Sequence, residues 1–176
     1  GTGFVVPAMS ISLPRSGALD RPAVSGVALF GATAAALPPA VAAELAAALP
    51  GATLVNYYTS TEAAPTQTSM VFSPERPAAL GRAVAGGTLR VCDADGQPCP
   101  AGVVGEVWMR GAGVSRSYLD DPEASQHVFR GGWTRMGDVG YLDAEGYLYL
   151  VDREGDVIKS GADKVSTIAV EAALHE

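Results

Sequence analysis

Val24-Ser25-Gly26-Val27-Ala28-Leu29-Phe30, then Pro38-Pro39 followed by Val41, Leu45 and Leu49, then Ala52-Thr53-Leu54-Val55-Asn56-Tyr57 is the stretch that decides the fold. Residues 24–30 read as a buried strand ending at Gly31. Pro38-Pro39 opens a helix, since proline is tolerated in a first turn. Val41, Leu45 and Leu49 lie four apart and share one face, and Pro50-Gly51 ends the helix. Residues 52–57 read as the next strand. Strand, helix and strand at this spacing predict a βαβ crossover in a parallel sheet.

Beyond about residue 67 strands become short and turns frequent. Val103 to Arg110 reads as a strand, and 122–129 as a short helix with Pro122 in its first turn. Tyr141-Leu142 and Leu148–Val151 flank Asp143-Ala144-Glu145-Gly146, which predicts a hairpin with glycine where φ is positive. Residues 86–92 and 103–108 flank Asp93-Ala94-Asp95-Gly96 in a similar way. This half reads as antiparallel β in a barrel-like layer. Ile168 to Glu176 reads as a helix start, with Ser166 or Thr167 as N-cap. The Asp-x-[Asp/Glu]-Gly turns are not EF-hand loops, because Val104 stands eleven after Asp93 where a glutamate is required.

Composition narrows the function classes. The 176 residues carry 12 Lys+Arg against 19 Asp+Glu, a net charge of −7, which argues against a nucleic-acid or acidic-membrane binder. Hydrophobic residues are 48% and charged residues 18%, the profile of a globular piece and not of a disordered chain. Ten of the basic residues are arginine, and the two lysines, Lys159 and Lys164, both fall near the end. Cys92 and Cys99 flank a turn and could face each other across a hairpin. Two cysteines are no disulfide framework, so both are expected reduced and the protein cytoplasmic. No apolar run reaches 18 residues and no signal peptide opens the chain, so no membrane span or secretion is expected. His127 and His175 lack metal-ligand spacing.

Four segments carry chemistry. Tyr57-Tyr58-Thr59-Ser60-Thr61-Glu62 follows the second strand, where open α/β sheets bind ligands. An aromatic ring there can stack on a base, threonine hydroxyls can bond phosphate oxygens, and a glutamate can hold Mg²⁺. Arg135-Met136-Gly137-Asp138 places a carboxylate ahead of a hairpin, where it can accept two hydrogen bonds from a ribose diol. Asp152-Arg153-Glu154-Gly155-Asp156 is a charged break after a strand, and Lys159 to Val165 is a glycine-containing loop before a helix. Each alone is equally an ordinary polar loop, turn, linker or hairpin tip. Together their order and spacing are specific.

In order, the chain resembles the adenylate-forming superfamily, of acyl-CoA synthetase or acyl-acid ligase type. Leu29-Phe30-Gly31-Ala32-Thr33 with Leu37-Pro38 resembles its "GGAPL" segment, and Tyr58-Thr59-Ser60-Thr61-Glu62 its "YGxTE" motif. Gly105 to Gly111, continuing to Tyr118-Leu119, resembles "GEIxVRGxxVxxGYL". Gly132-Trp133 through Gly137-Asp138 and Gly146-Tyr147-Leu148 resembles "GWxxTGDxGxxDxDGYL". Asp152-Arg153 through Glu171 resembles "GRxxDxIKxxGxxVxxxEVE".

The resemblance implies an α/β fold: the end of a βαβ parallel-sheet subdomain, an antiparallel β-barrel-like subdomain, and the start of a small α+β C-terminal domain. Residues 1–153 would be the latter part of the large domain (1–66 α/β, 67–153 mainly β), and 154–176 the hinge and start of the small domain. It implies ATP-dependent activation of a carboxylic acid and thioester formation with CoA. Alternatives are loading onto a carrier protein's phosphopantetheine, or a non-catalytic scaffold. Gly31, Ala32, Thr33, Tyr58, Thr59, Ser60, Asp138 and Arg153 would bind nucleotide. Tyr58 would stack on adenine, and Asp138, assisted by Arg153, would take the ribose hydroxyls. Thr61 would contact phosphate and Glu62 would bind Mg²⁺, both as catalytic residues. Tyr57 and Thr59 would line the acyl pocket, Gly155 would be the hinge, and Lys159, Gly161 and Lys164 would belong to the thioester-state loop. The family's phosphate loop and adenylation lysine do not occur among these residues, so the implied partners include further parts of the same polypeptide.

The chain also departs from the family pattern. Thr59 and Met136 replace a usual glycine and threonine, Ser117 replaces the glycine before Tyr118, and Ala162 a common glycine. Tyr57 puts a ring where a small residue is common, which predicts a shortened acyl pocket.

Overall fold

Two apolar clusters organise the chain, one under a mixed sheet and one between that sheet and a second, antiparallel sheet. The computed structural model describes residues 1–5, 7–19, 24–33, 37–84, 86–113, 116–153, 158–160 and 163–174.

The first sheet has the order β1 (Thr2–Val5), β2 (Leu29–Ala32), β3 (Thr53–Tyr58), β4 (Gln67–Val71), β5 (Arg82–Val84). β1, β2 and β3 are parallel, with Leu29 opposite Thr53 and Gly31 opposite Val55. Helix α1 (Pro7–Ser12) follows β1, and the crossover between β2 and β3 is α2 (Pro39–Ala48), the helix expected from the 41/45/49 spacing. Val41, Ala42 and Leu45 are buried on it, packing with Leu37, Phe30 and Leu54. Leu49 leaves helical geometry and its N–H still donates to the Leu45 carbonyl, which closes the last turn.

Three details differ from the reading of the sequence. The strand expected from residue 24 begins only at Leu29, because Ser25-Gly26 forms a turn closed by the Val27 N–H on the Val24 carbonyl. Val24 and Val27 still pack on the core, so their apolar character serves packing without a ladder. β1 lies outside the strands expected from the sequence and pairs with the edge of β2. β4 and β5 are antiparallel to their neighbours, so the change of texture near residue 67 marks a switch of pairing inside the first sheet.

The second sheet has the order β10 (Leu148–Arg153), β9 (Trp133–Leu142), β7 (Gly105–Arg110), β6 (Thr88–Cys92), with β8 (Phe129–Arg130) pairing β9. Register shifts between Glu106 and Trp108 and between Leu150 and Asp152 are bulges, which bend and twist a sheet into the expected curled, barrel-like layer. α3 (Pro122–Val128) is capped by Asp121, whose carboxylate accepts the Ala124 N–H. The predicted β9–β10 turn is present, with Gly146 at φ 81° and Asp143 accepting the Glu145 and Tyr147 N–H groups. On the outer face Arg90 lies over Trp133 and Trp108, 4.0 and 4.7 Å from the ring centres.

Cys92 and Cys99 do not face each other. Cys92 is opposite Pro98, which puts Cys99 on the other face, packed with the inter-sheet core beside Val91. A hairpin of β11 (Ile158–Ser160) and β12 (Asp163–Val165) and helix α4 (Thr167–Leu174) complete the described chain.

Candidate functional site

The two sheets meet at Tyr58, the last residue of β3. Its ring is 5% exposed and sits with Leu80, Val107, Met109 and Leu148 between the sheets. A buried phenol needs a partner, and its hydroxyl donates to Asp138 Oδ2 at 2.6 Å. Asp138, on β9, is itself buried and stands opposite Arg153 of β10. Arg153 Nε donates to Asp138 Oδ1 at 3.2 Å, from a side chain that is 70% exposed and therefore well screened. Burial first, and then the charge of Asp138, push the Tyr58 phenol far above its ordinary pKa, so it stays a donor. An ionised carboxylate has about four acceptor sites. Tyr58 and Arg153 use two, leaving acceptor capacity for a diol.

The loop after β3 is a compact turn. Ser60 anchors it, accepting the Ala63 N–H on its hydroxyl and the Ala64 N–H on its carbonyl, at 3.2 and 3.0 Å. The Thr59 hydroxyl donates to the Thr66 carbonyl at 2.7 Å, so its donor is committed inside the loop. Thr61 is exposed and Glu62 half-buried at the apex. The Glu62 carboxyl is held below the usual carboxylate range, first by its own backbone N–H and also by the Tyr118 and Ser60 hydroxyls and the nearby Arg116 charge. The Tyr118 hydroxyl lies 2.9 Å from Glu62 Oε1. Beside the loop is a cleft of about 380 Å³, walled by Glu62, Thr66, Arg116, Gly131, Gly132 and Trp133.

At the end of β2, Gly31 and Ala32 are buried and Thr33 is half-buried, its N–H donating to the Val5 carbonyl. A side chain at Gly31 would meet the Phe4 ring at 2.6 Å and the Tyr57 ring at 3.1 Å. Those rings contact each other at 5.8 Å between centres. Tyr57 therefore covers the Gly31 face of the sheet together with Phe4 of β1, a residue that carries no motif signal in the sequence.

Asp152 is the other residue that sequence reasoning missed. It is 2% exposed and its carboxylate accepts three hydrogen bonds, from the Arg153 N–H, the Thr167 N–H and the Thr167 hydroxyl, at 2.8, 2.9 and 2.8 Å. Burial works against its charge, but these bonds outweigh it and hold the carboxyl below its ordinary pKa. Asp152 thus holds the first N–H of α4 from outside the helix, while Ser166 precedes Thr167 at the helix start. Lys159 and Lys164 are backbone partners across β11 and β12. Gly155, Gly161 and His175 lie outside the described residues.

Among the described residues no three His, Cys, Asp or Glu side chains gather into a metal cage. One carboxylate at the apex of a loop is still compatible with Mg²⁺, which keeps waters and is held by one or two carboxylates plus substrate phosphates. No described helix is long and apolar enough to cross a membrane.

The family described as AMP-binding enzyme matches residues 2–119. A probable CoA ligase of Humulus lupulus is 38% identical over 70% of this chain, covering 24% of the relative. An amide bond synthetase from Marinactinospora thermotolerans superposes with a TM-score of 0.83 at 32% identity, over 97% of this chain and 36% of the other. An O-succinylbenzoate coenzyme A synthetase from Bacillus subtilis, solved with ATP and magnesium, gives 0.82 at 27% identity, over 98% and 36%. The chain therefore spans about a quarter to a third of the length of these proteins. With the family matched from β1 to the segment before α3, and the fold shared over nearly all of its length, the chain belongs to the AMP-binding enzymes.

Proposed function

We propose that the polypeptide carrying this chain is an acid–thiol ligase that activates a carboxylic acid with ATP and passes the acyl group to CoA. The single observation that carries this reading is the buried Asp138 carboxylate, held by Tyr58 and Arg153 where the two sheets meet. Asp138 accepts the ribose hydroxyls, and Arg153, exposed beside it, keeps the carboxylate turned outward. Adenine lies at the ends of β2 and β3, against Gly31, Ala32, Thr33 and the edge of Tyr58. Tyr58 here supplies mainly its hydroxyl, because 5% exposure leaves little of its ring face open to a base. Thr59 and Ser60 shape the loop rather than donate to phosphate, and Thr61, exposed at the apex, is the hydroxyl that reaches it.

The acid's carboxylate oxygen attacks the α-phosphorus, the bond to the β-phosphate oxygen breaks, and pyrophosphate leaves. The thiol then displaces AMP from the acyl carbon. Magnesium bound to the phosphates would neutralise their charge, and Glu62 would hold it. Tyr57 limits the acyl pocket with Thr59 at its edge. Gly155 as pivot and Lys159, Gly161 and Lys164 as the thioester-state loop complete the proposal. The likeness to CoA ligases supports a thiol acceptor, and the likeness to an amide bond synthetase supports testing an amine beside it. The test is acid-dependent exchange of pyrophosphate into ATP by the full-length polypeptide, followed by CoA, a carrier protein's phosphopantetheine and an amine offered in parallel. Absence of acid-dependent exchange would leave the scaffold reading in its place. The 176 residues alone are expected to show no turnover, because the phosphate loop and adenylation lysine are not among them.

A further inference from the structure

Two residues given no role so far, Arg116 and Tyr118, reach across from the second half of the chain to the Thr61–Glu62 apex. The Arg116 guanidinium donates through one terminal nitrogen to the Thr61 carbonyl at 2.6 Å and through the other to the Ala64 carbonyl. These carbonyls are three residues apart in the turn, and a planar fork can hold both at once where an ammonium cannot. The Tyr118 hydroxyl donates to Glu62 Oε1. Tyr118 is itself fixed. Its ring leans on Phe129 at 5.4 Å between centres, and its N–H donates to the Ser125 hydroxyl at 2.8 Å. Ser125 in turn donates to the Asp121 carbonyl at the start of α3. A chain of directed contacts therefore runs from α3 to one oxygen of Glu62.

We propose that Arg116 and Tyr118 are positioning residues, the arginine fork setting the backbone of the Thr61–Glu62 turn and the tyrosine setting the Glu62 carboxylate toward a phosphate-bound divalent cation. The second half of this rests on the reading of Glu62 above, whereas the first half does not. Partners that orient a metal-binding carboxylate typically change metal affinity 10–100-fold when removed. The fork acts instead on the amides of Ala63, Ala64 and Thr66, whose hydrogen bonds close the turn.

The test uses the full-length polypeptide with Mn²⁺ as the probe for Mg²⁺, its binding in the presence of ATP read by electron paramagnetic resonance. Tyr118→Phe is expected to weaken Mn²⁺ binding about tenfold, with no change in amide exchange across residues 63–66. Arg116→Met is expected to speed that exchange at least about tenfold, with Arg116→Lys in between. Unchanged Mn²⁺ affinity in Tyr118→Phe overturns the role of the phenol. Unchanged exchange in Arg116→Met overturns the role of the fork. If the unaltered protein takes up no Mn²⁺ with ATP, the assignment of Glu62 and the tyrosine role fall together, and the exchange data still decide the fork.

Discussion

Tyr58→Phe removes one oxygen atom and leaves the ring in its place between the sheets. In the structure that oxygen donates a 2.6 Å bond to a carboxylate that is itself only 7% exposed. Hydrogen bonds to charged groups contribute about 1.5–3 kcal/mol, and buried Asp138 has little water to replace the lost donor. Arg153 remains 3.2 Å away, but an ion pair with one side chain 70% exposed is worth under about 1 kcal/mol and is already present in the parent protein. The expected loss is therefore about 2 kcal/mol, or roughly 4–8 °C in Tm for a chain of this size. Urea denaturation followed by circular dichroism measures it. A double-mutant cycle with Asp138→Asn should return a coupling of at least about 1.5 kcal/mol, while Arg153→Met alone should cost under about 1 kcal/mol. The pH dependence gives a separate check. The folded state keeps the phenol protonated beyond its ordinary range, so this contribution is intact below about pH 10 and is lost as pH rises above it. Tyr58→Phe should flatten that alkaline limb. A Tyr58→Phe protein within about 0.5 kcal/mol of the parent, with the same alkaline limb, would refute the view that this bond joins the two sheets.

Three further outcomes are expected. Asp152→Ala leaves the Thr167 N–H, Thr167 hydroxyl and Arg153 N–H without their acceptor, and should destabilise the chain by about 2–3 kcal/mol. Because the Asp152 carboxyl is lowered on folding, its contribution is present above about pH 4 and lost as pH falls below that, so the variant should show a shallower acid limb in urea midpoints. Gly81→Ala should cost at least about 2 kcal/mol by the same measurement. Gly81 sits at φ +88°, and an added Cβ would fall 2.2 Å from the Ser69 carbonyl oxygen, beside the backbone bonds that tie residues 80–81 to Leu148. Tyr57→Gly in the full-length protein should move acid preference toward longer chains, read as kcat/KM across a series of acids, and an unchanged series would remove Tyr57 from the pocket wall.

Local chemistry made much of the fold legible. The α2 stripe, the proline-opened α3 and the Asp143–Gly146 turn each depend on residues a few positions apart, so their side chains announce them. The reading slipped where apolar residues pack without pairing, as at Val24 and Val27. It also slipped at β1, four residues whose strand character comes from the edge of β2. For the site, the motif order points to Tyr58, Glu62, Asp138 and Arg153, and the fold brings Tyr58, Asp138 and Arg153 together. Stacking on adenine is what the resemblance implies for the Tyr58 ring; in the structure the ring is buried between the sheets and its hydroxyl donates to Asp138.

What the sequence by itself determined is the alternation of helix, strand and turn and the family's motif spacing, because both are written in short-range patterns of size, charge and glycine. What only the tertiary structure decided is which of those groups meet. Tyr58 and Asp138 are 80 residues apart, Arg116 and Thr61 are 55, and Asp152 and Thr167 are 15, with another hairpin between. The first arises when two sheets close on a shared apolar core and buried polar atoms must find partners across it, and the other two when segments distant in sequence pack side by side. That requirement belongs to the packed state and leaves no periodic trace along the chain.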